Sequence, residues 1–138
     1  MQKVLFICTH NSARSQMAEA LLRSKFSDRY QVFSAGTEPS NINPYIKRVM
    51  NEIGIDISGY ESKHVNLFLG EEIDLVVTLC DSAKESCPFF PGAKQYDHKN
   101  FPDPSRFTGT EEEILNRIRG IREELSKWID QEFNTIQE

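Results

Sequence analysis

The amino-acid sequence predicts an α/β fold in three layers, with a four-stranded parallel sheet flanked by helices. Three observations carry that expectation. Two near-continuous apolar runs of strand length, at residues 3–7 and 73–79, lack the polar–apolar alternation of a half-exposed sheet and read as strands buried on both faces. Between and after them, apolar residues recur at helical spacing. Strands and helices therefore alternate along the chain, an order that builds parallel sheets through crossovers rather than hairpins.

In order, Lys3-Val4-Leu5-Phe6-Ile7 forms the first strand, and Cys8 follows at its carboxyl end. After a polar stretch over residues 9–15, Met17, Ala18, Leu21, Leu22 and Phe26 mark one face of a helix with good helix formers between them. Residues 30–35 make a second strand ended by Gly36. Pro44 suits a first helical turn and opens a pattern through Ile46, Val49, Met50 and Ile53 that Gly54 stops. The third strand ends at Cys80, and a short fourth is expected at residues 93–96. Thr110 with Glu113 forms a capping box, after which Ile114, Leu115, Ile118, Ile121, Leu125, Trp128 and Ile129 line one face of a long closing helix. Ligands of such sheets sit at the carboxyl ends of the strands, the edge where Cys8 and Cys80 both fall.

A length of 138 residues suits one domain, residues 1–138, with its own core. With 38% hydrophobic and 27% charged residues, the composition is that of a soluble globular protein. A formal charge of −5 opposes general attraction to nucleic acid or anionic lipid, so any bound anion needs a local site. The first apolar run is too short for a signal peptide or a membrane span, and a cytoplasmic monomer is expected. Three cysteines are too few for a disulfide scaffold, which leaves burial or chemistry to account for them.

Cys8-Thr9-His10-Asn11-Ser12-Ala13-Arg14-Ser15 sets a cysteine and an arginine six positions apart between a strand and a helix. Main-chain N–H groups in such a loop can converge on a tetrahedral oxyanion, and the helix adds its positive end. Thr9, His10, Asn11, Ser12, Ala13, Arg14 and Ser15 are therefore the candidate oxyanion-binding residues. The Arg14 guanidinium can clamp two oxygens at once, and the same positive field favours the thiolate of Cys8. Ser15 is placed to donate to the sulfur, while Asn11 and Ser12 hold the loop from within. The Gly-Lys-Ser/Thr ending of a nucleotide-binding loop is absent.

Together with Ser34-Ala35-Gly36 and Asp103-Pro104, this loop resembles the low-molecular-weight tyrosine phosphatase superfamily over essentially the whole chain. The arsenate reductase branch is the closer match, through a strand ending Leu79-Cys80 and a second cysteine, Cys87, seven residues later and before Pro88. The resemblance implies a low-molecular-weight tyrosine phosphatase-like fold and the conversion of arsenate to arsenite. It further implies that Cys8 attacks arsenate, that Asp103 protonates the leaving oxygen, that Cys80 attacks Cys8, and that Cys87 attacks Cys80. Reduced thioredoxin is the implied partner and electron source, with no tightly bound cofactor. Some reductases of this branch bind potassium, and Asn11, Glu19 and Ser34 match three of its ligands. The fourth, acidic there, is Lys63 here, so the expectation is an ammonium near Glu19 and no required metal. His10, His64 and His98 share no metal-ligand spacing, so no zinc site is expected.

Two other functions would use the same residues. A phosphatase acting on phosphotyrosine or an aryl phosphate needs Cys8, Arg14 and Asp103 but neither Cys80 nor Cys87. It is also disfavoured by Ser105-Arg106-Phe107, which stands where many phosphatases of the superfamily carry a tyrosine pair. A non-catalytic oxyanion sensor would not need Asp103. In the reduced protein, Cys8 is expected to react with iodoacetamide fastest of the three cysteines at mildly acidic pH, and phosphate or arsenate should protect it. Faster labelling of Cys80 or Cys87, located by peptide mapping, would rule this assignment out.

Overall fold

A computed structural model describes residues 1–81 and 89–134. Four parallel strands, β1 (Gln2–Ile7), β2 (Tyr30–Ala35), β3 (Ile73–Thr78) and β4 (Ala93–His98), form one sheet in the order β2-β1-β3-β4. Among the described residues three helices flank it, α1 (Arg14–Phe26), α2 (Pro44–Asn51) and α3 (Glu111–Phe133), with short 3-10 turns at Val65–Phe68 and Pro104–Arg106. This is the α/β arrangement the alternating pattern predicts.

Period-two geometry sends successive side chains of β1 to opposite faces, and both faces find apolar cover. Val4 and Phe6 stand in register with Val32, Leu75 and Val77 and join one cluster with Met17 and Leu21 of α1, Ile46 and Val49 of α2, and Leu115, Ile118 and Leu125 of α3. Leu5 and Ile7 join a second cluster with Ala35, Val65, Ile73, Val76 and Phe90. A strand covered on both sides cannot alternate polar with apolar residues, which is why β1 reads as a continuous run.

The strand order places the site. β1 connects to β2 on one side and pairs with β3 on the other, so the chain reverses direction across the sheet between β1 and β3. A crevice at the carboxyl ends of the strands opens at such a point. Ile7 is the register partner of both Ala35 and Thr78, and Leu79 N donates to Ile7 O (2.9 Å).

Three elements depart from the pattern, the first being β3, which ends at Thr78, two residues before Cys80. α2 ends at Asn51, and the apolar periodicity through Ile53 continues as a turn in which Ile53 N donates to Met50 O and Gly54 N to Asn51 O. Gly54, at φ 80, supplies the left-handed residue that ends it. β4 runs to His98, beyond the expected residues 93–96, because an exposed edge strand is held by its ladder and carries no apolar signal for Asp97 and His98.

α3 opens with the full capping box: Glu113 N donates to Thr110 Oγ1, and Thr110 N to the Glu113 carboxylate. It is tied to α2 through Glu52, whose carboxylate accepts from Arg119 Nε and Nη2 and from Arg122 Nη1, while Arg122 also reaches Val49 O (2.7 Å). These hydrogen bonds from Arg119 and Arg122 hold the Glu52 carboxyl down at about 2. A carboxyl lowered on folding stabilises fully above its unfolded value, near 4.5, and loses that contribution as pH falls towards its folded value. Glu52→Gln should therefore lower the thermal midpoint at pH 7, and its deficit relative to the parent should shrink steadily between pH 5 and pH 3. A pH-independent deficit in thermal melts would show that the ion pairs contribute nothing.

Candidate active site

Residues 8–15 run from the end of β1 into α1 and are folded around Asn11. Asn11 has no solvent exposure and adopts φ 50, the only positive φ outside glycine among the described residues. Asparagine tolerates that region better than most residues because its short amide can bond locally. Here Nδ2 donates to Ser15 Oγ (2.7 Å) and Ser34 Oγ (2.9 Å), and Oδ1 accepts from Gln16 Nε2 (3.0 Å) and Lys63 N (2.8 Å). Every hydrogen-bonding position of the amide is used.

Around that hub the loop's carbonyls face outward and are taken up. Thr9 O accepts from Glu38 N, His10 O from Ser40 N and Ser62 Oγ, and Ser12 O from Asn43 N. Ser12 thus braces the loop through its main chain. α1 begins at Arg14 with no side-chain cap from Ala13, so its first-turn N–H groups are not consumed by a capping oxygen. Outward carbonyls and an uncapped helix start are the preconditions of an oxyanion cradle.

Cys8 is a free thiol, 2% exposed, and its Sγ lies 2.9 Å from Ser15 Oγ. Because Ser15 Oγ already accepts from Asn11, its own hydrogen is available to the sulfur. Arg14, equally buried, donates from Nη1 to Phe101 O (3.0 Å), which ties the loop carrying Asp103 to the cradle. Asp103 caps the Pro104–Arg106 turn, its Oδ1 accepting from Ser105 N and Ser105 Oγ. Cys80, fully buried just past β3, is disulfide-bonded. Cys87 lies outside the described residues.

The expected Lys63–Glu19 pairing is not what forms. Lys63 Nζ donates to Glu61 O (2.8 Å), and the buried Glu19 carboxylate instead meets Arg23 Nη2 (2.6 Å) and Ser34 Oγ. The reason is local: residues four apart share a helix face, so Arg23 reaches Glu19 within α1. That spacing is visible in the sequence and would have found the pair. Lys63 joins the site through its main-chain N–H. Among the described residues, no group of three or more His, Cys, Asp or Glu converges as a metal site. His10 Nδ1 bonds Glu38 O, His64 Nδ1 accepts from Asn66 N, and His98 sits between Thr78 Oγ1 and Asn100 Oδ1.

Sequence reasoning missed Gln16. Wholly buried on α1, it directs Nε2 to Asn11 O, Asn11 Oδ1 and Glu61 O, each at 3.0 Å. Its Oε1 is the one buried side-chain polar atom without a partner among the described residues. An orphan of this kind costs about 1–3 kcal/mol. Its sequence context gives no signal, because Arg14, Ser15 and Glu19 on the same helix are also polar and buried.

Gly36 closes the cradle from behind. A Cβ there would lie 2.5 Å from Thr9 O, 2.8 Å from Cys8 O and 2.9 Å from Asn11 N, all main-chain atoms. Its own N and O bond Lys63 O and Val65 N, fastening residues 63–65 alongside.

The sequence profile of the low molecular weight phosphotyrosine protein phosphatase family matches residues 3–137. An arsenate reductase of Halalkalibacterium halodurans is 43% identical over 126 residues, which is 91% of each chain. A solved arsenate reductase in the phosphate binding state superposes with a TM-score of 0.75 at 32% identity, over 95% of this chain and 98% of that one. A thioredoxin-dependent arsenate reductase of Corynebacterium glutamicum gives a TM-score of 0.61 at 31% identity, over 95% of this chain and 63% of that one.

Since main-chain atoms cannot step aside as a flexible side chain would, Gly36→Ala should push the loop off Asn11. The expected cost is about 1–3 kcal/mol of stability, with loss of phosphate protection of Cys8. Unchanged protection and an unchanged denaturation midpoint would mean that the close approach is not needed.

Proposed function

The chain belongs to the low molecular weight phosphotyrosine protein phosphatase family, and from that premise we propose that it is a thioredoxin-coupled arsenate reductase. One juxtaposition carries the reading. Ile7 and Thr78 are register partners on adjacent strands, about 4.8 Å apart, so Cys8 and Cys80 leave neighbouring strands one and two residues beyond a paired step. Both are buried, as a thiol exchange shielded from water requires.

The chemistry balances as a two-electron reduction. Arsenate enters the cradle of residues 9–15, held by main-chain N–H groups and the Arg14 fork. The Cys8 thiolate forms an S–As bond while a hydroxide leaves, protonated by Asp103 acting as general acid, a contribution of ~10²–10⁴-fold. The Cys80 thiolate then attacks Cys8 Sγ. The S–As bond breaks, its electron pair stays on arsenic, and arsenite departs as a Cys8–Cys80 disulfide forms. Cys87 attacks Cys80 Sγ, freeing Cys8 and moving the oxidation to Cys80–Cys87, which reduced thioredoxin returns to two thiols. The tie from Arg14 to Phe101 O supports the role of Asp103, because it keeps the acid's loop against the anion's clamp.

The second reading, a phosphatase for phosphotyrosine or aryl phosphates, keeps Cys8, Arg14 and Asp103 and uses neither other cysteine. The family premise favours it, whereas the identity of the relatives favours reduction. Arsenite production with thioredoxin, thioredoxin reductase and NADPH is expected. No turnover there, with brisk aryl phosphate hydrolysis, would reverse the order. Cys87→Ser should stop after one turnover with Cys8 joined to Cys80, detected by peptide mapping. Sustained thioredoxin-dependent turnover in that variant would sink the relay.

A further inference from the structure

Gln16 makes no contact with Cys8 that would mark it as catalytic, yet its hydrogen bonds converge on the residue that organises the thiol. Its amide nitrogen faces three oxygens, so the orientation of the amide is fixed by chemistry: turned over, Oε1 would confront Asn11 O, Asn11 Oδ1 and Glu61 O. Oε1 is left buried and unpartnered as the consequence. An apolar residue of the same volume would fill the space but leave Asn11 O and Glu61 O without this donor, so what the position uses is the amide N–H group rather than its bulk.

We infer that Gln16 is a positioning residue for the Cys8 nucleophile, acting through Asn11 and Ser15. Two N–H donors meet at Asn11 Oδ1, from Gln16 and from the main chain of Lys63. Donation to an amide oxygen draws electron density from its nitrogen, so the Nδ2 hydrogens become stronger donors. One of them goes to Ser15 Oγ, which is thereby committed as an acceptor and turns its own hydrogen to Cys8 Sγ. The other goes to Ser34 Oγ, whose hydrogen passes to the Glu19 carboxylate. Gln16 thus sits at the head of a directional chain that ends on the sulfur. By also holding Asn11 O, it pins the main chain of the left-handed residue from the same side.

The inference rests on the reading of Cys8 as the nucleophile but not on arsenate as substrate, so its test uses alkylation of the reduced protein rather than turnover. Gln16→Met and Gln16→Leu remove the donors together with the orphaned oxygen. Either variant that folds decides the matter, with thermal midpoints measured alongside. At fixed pH, the iodoacetamide rate at Cys8 should fall about fivefold, as expected for weakening rather than deleting a charge-assisted bond. The phosphate concentration that half-protects Cys8 should stay within about twofold, because Arg14 and the main-chain donors remain. Ser15→Ala should slow alkylation on the order of tenfold or more, and adding Gln16→Met to it should produce no further loss, the non-additivity of residues acting in one chain. An unchanged rate in the single variants would overturn the inference. So would a full additional fivefold loss in the Ser15→Ala background, or loss of phosphate protection in parallel with the rate, which would mark Gln16 as support for loop shape alone.

Discussion

The carboxamide of Asn11 offers two hydrogens and two acceptor positions, and the fold fills all four from α1, β2 and the segment beside Gly36. A left-handed conformation costs an ordinary residue about 1–2 kcal/mol, whereas each buried hydrogen bond contributes about 1 kcal/mol. Four bonds outweigh the strain, and the chain can turn sharply between β1 and α1. The rest of the site follows from that turn. Loop carbonyls point out to Glu38, Ser40, Ser62 and Asn43. Cys8 and Ser15 are brought within hydrogen-bonding distance, and Gly36 can approach only because it has no side chain.

Electrostatics at this edge run against the chain as a whole. The protein is acidic by five formal charges, yet the cradle is built from main-chain dipoles and one buried guanidinium. Burying a charge is costly without hydrogen bonds to meet it, and the Phe101 carbonyl supplies one on the side facing the Asp103 loop. The buried Glu19 carboxylate is paired with Arg23 of its own helix and accepts from Ser34 Oγ of β2, so it does not oppose an incoming anion as a bare charge would. For the proposed oxyanion, local donors would decide binding and the global charge only what approaches from a distance.

What could be read from the sequence divides along physical lines. Local geometry was legible: β2 occupies residues 30–35, and Thr110 with Glu113 caps α3 through both reciprocal bonds. Burial was legible where it suppressed alternation, as in β1 and β3. Strand order was not, because an apolar run reports that a strand is covered and does not report which strand lies beside it. The extension of β4 to His98 was hidden for the opposite reason, since its side chains are exposed and only ladder bonds hold it. Within the site, the cysteine, the arginine and the serine stood in one short motif. The bonds from Gln16 to Glu61 and from Asn11 to Lys63 span 45 and 52 positions and leave no spacing to read. Lys63 was assigned by its charge, but what the fold uses is its amide.

Rigidity and reach make opposite demands on an exchange among three thiols. The cradle is over-determined: Asn11, Gln16, Gly36 and three outward carbonyls fix Cys8 in one position, which suits the in-line attack on a tetrahedral anion proposed for it. A nucleophile so enclosed, 2% exposed, cannot itself present an oxidised sulfur to a second protein. The neighbouring strand resolves the conflict. Cys80 is just as buried, but it lies past the end of β3, two residues beyond Thr78, where the register with β1 ends. A disulfide passed from Cys8 to that position, as proposed, would leave the rigid cradle intact for a further anion. A third cysteine, seven residues further along the chain, takes the oxidation from that position in the proposed relay. In the proposed relay, the rigid cradle keeps Cys8 for the anion, and the oxidation leaves it through Cys80 to Cys87, seven residues on in the sequence.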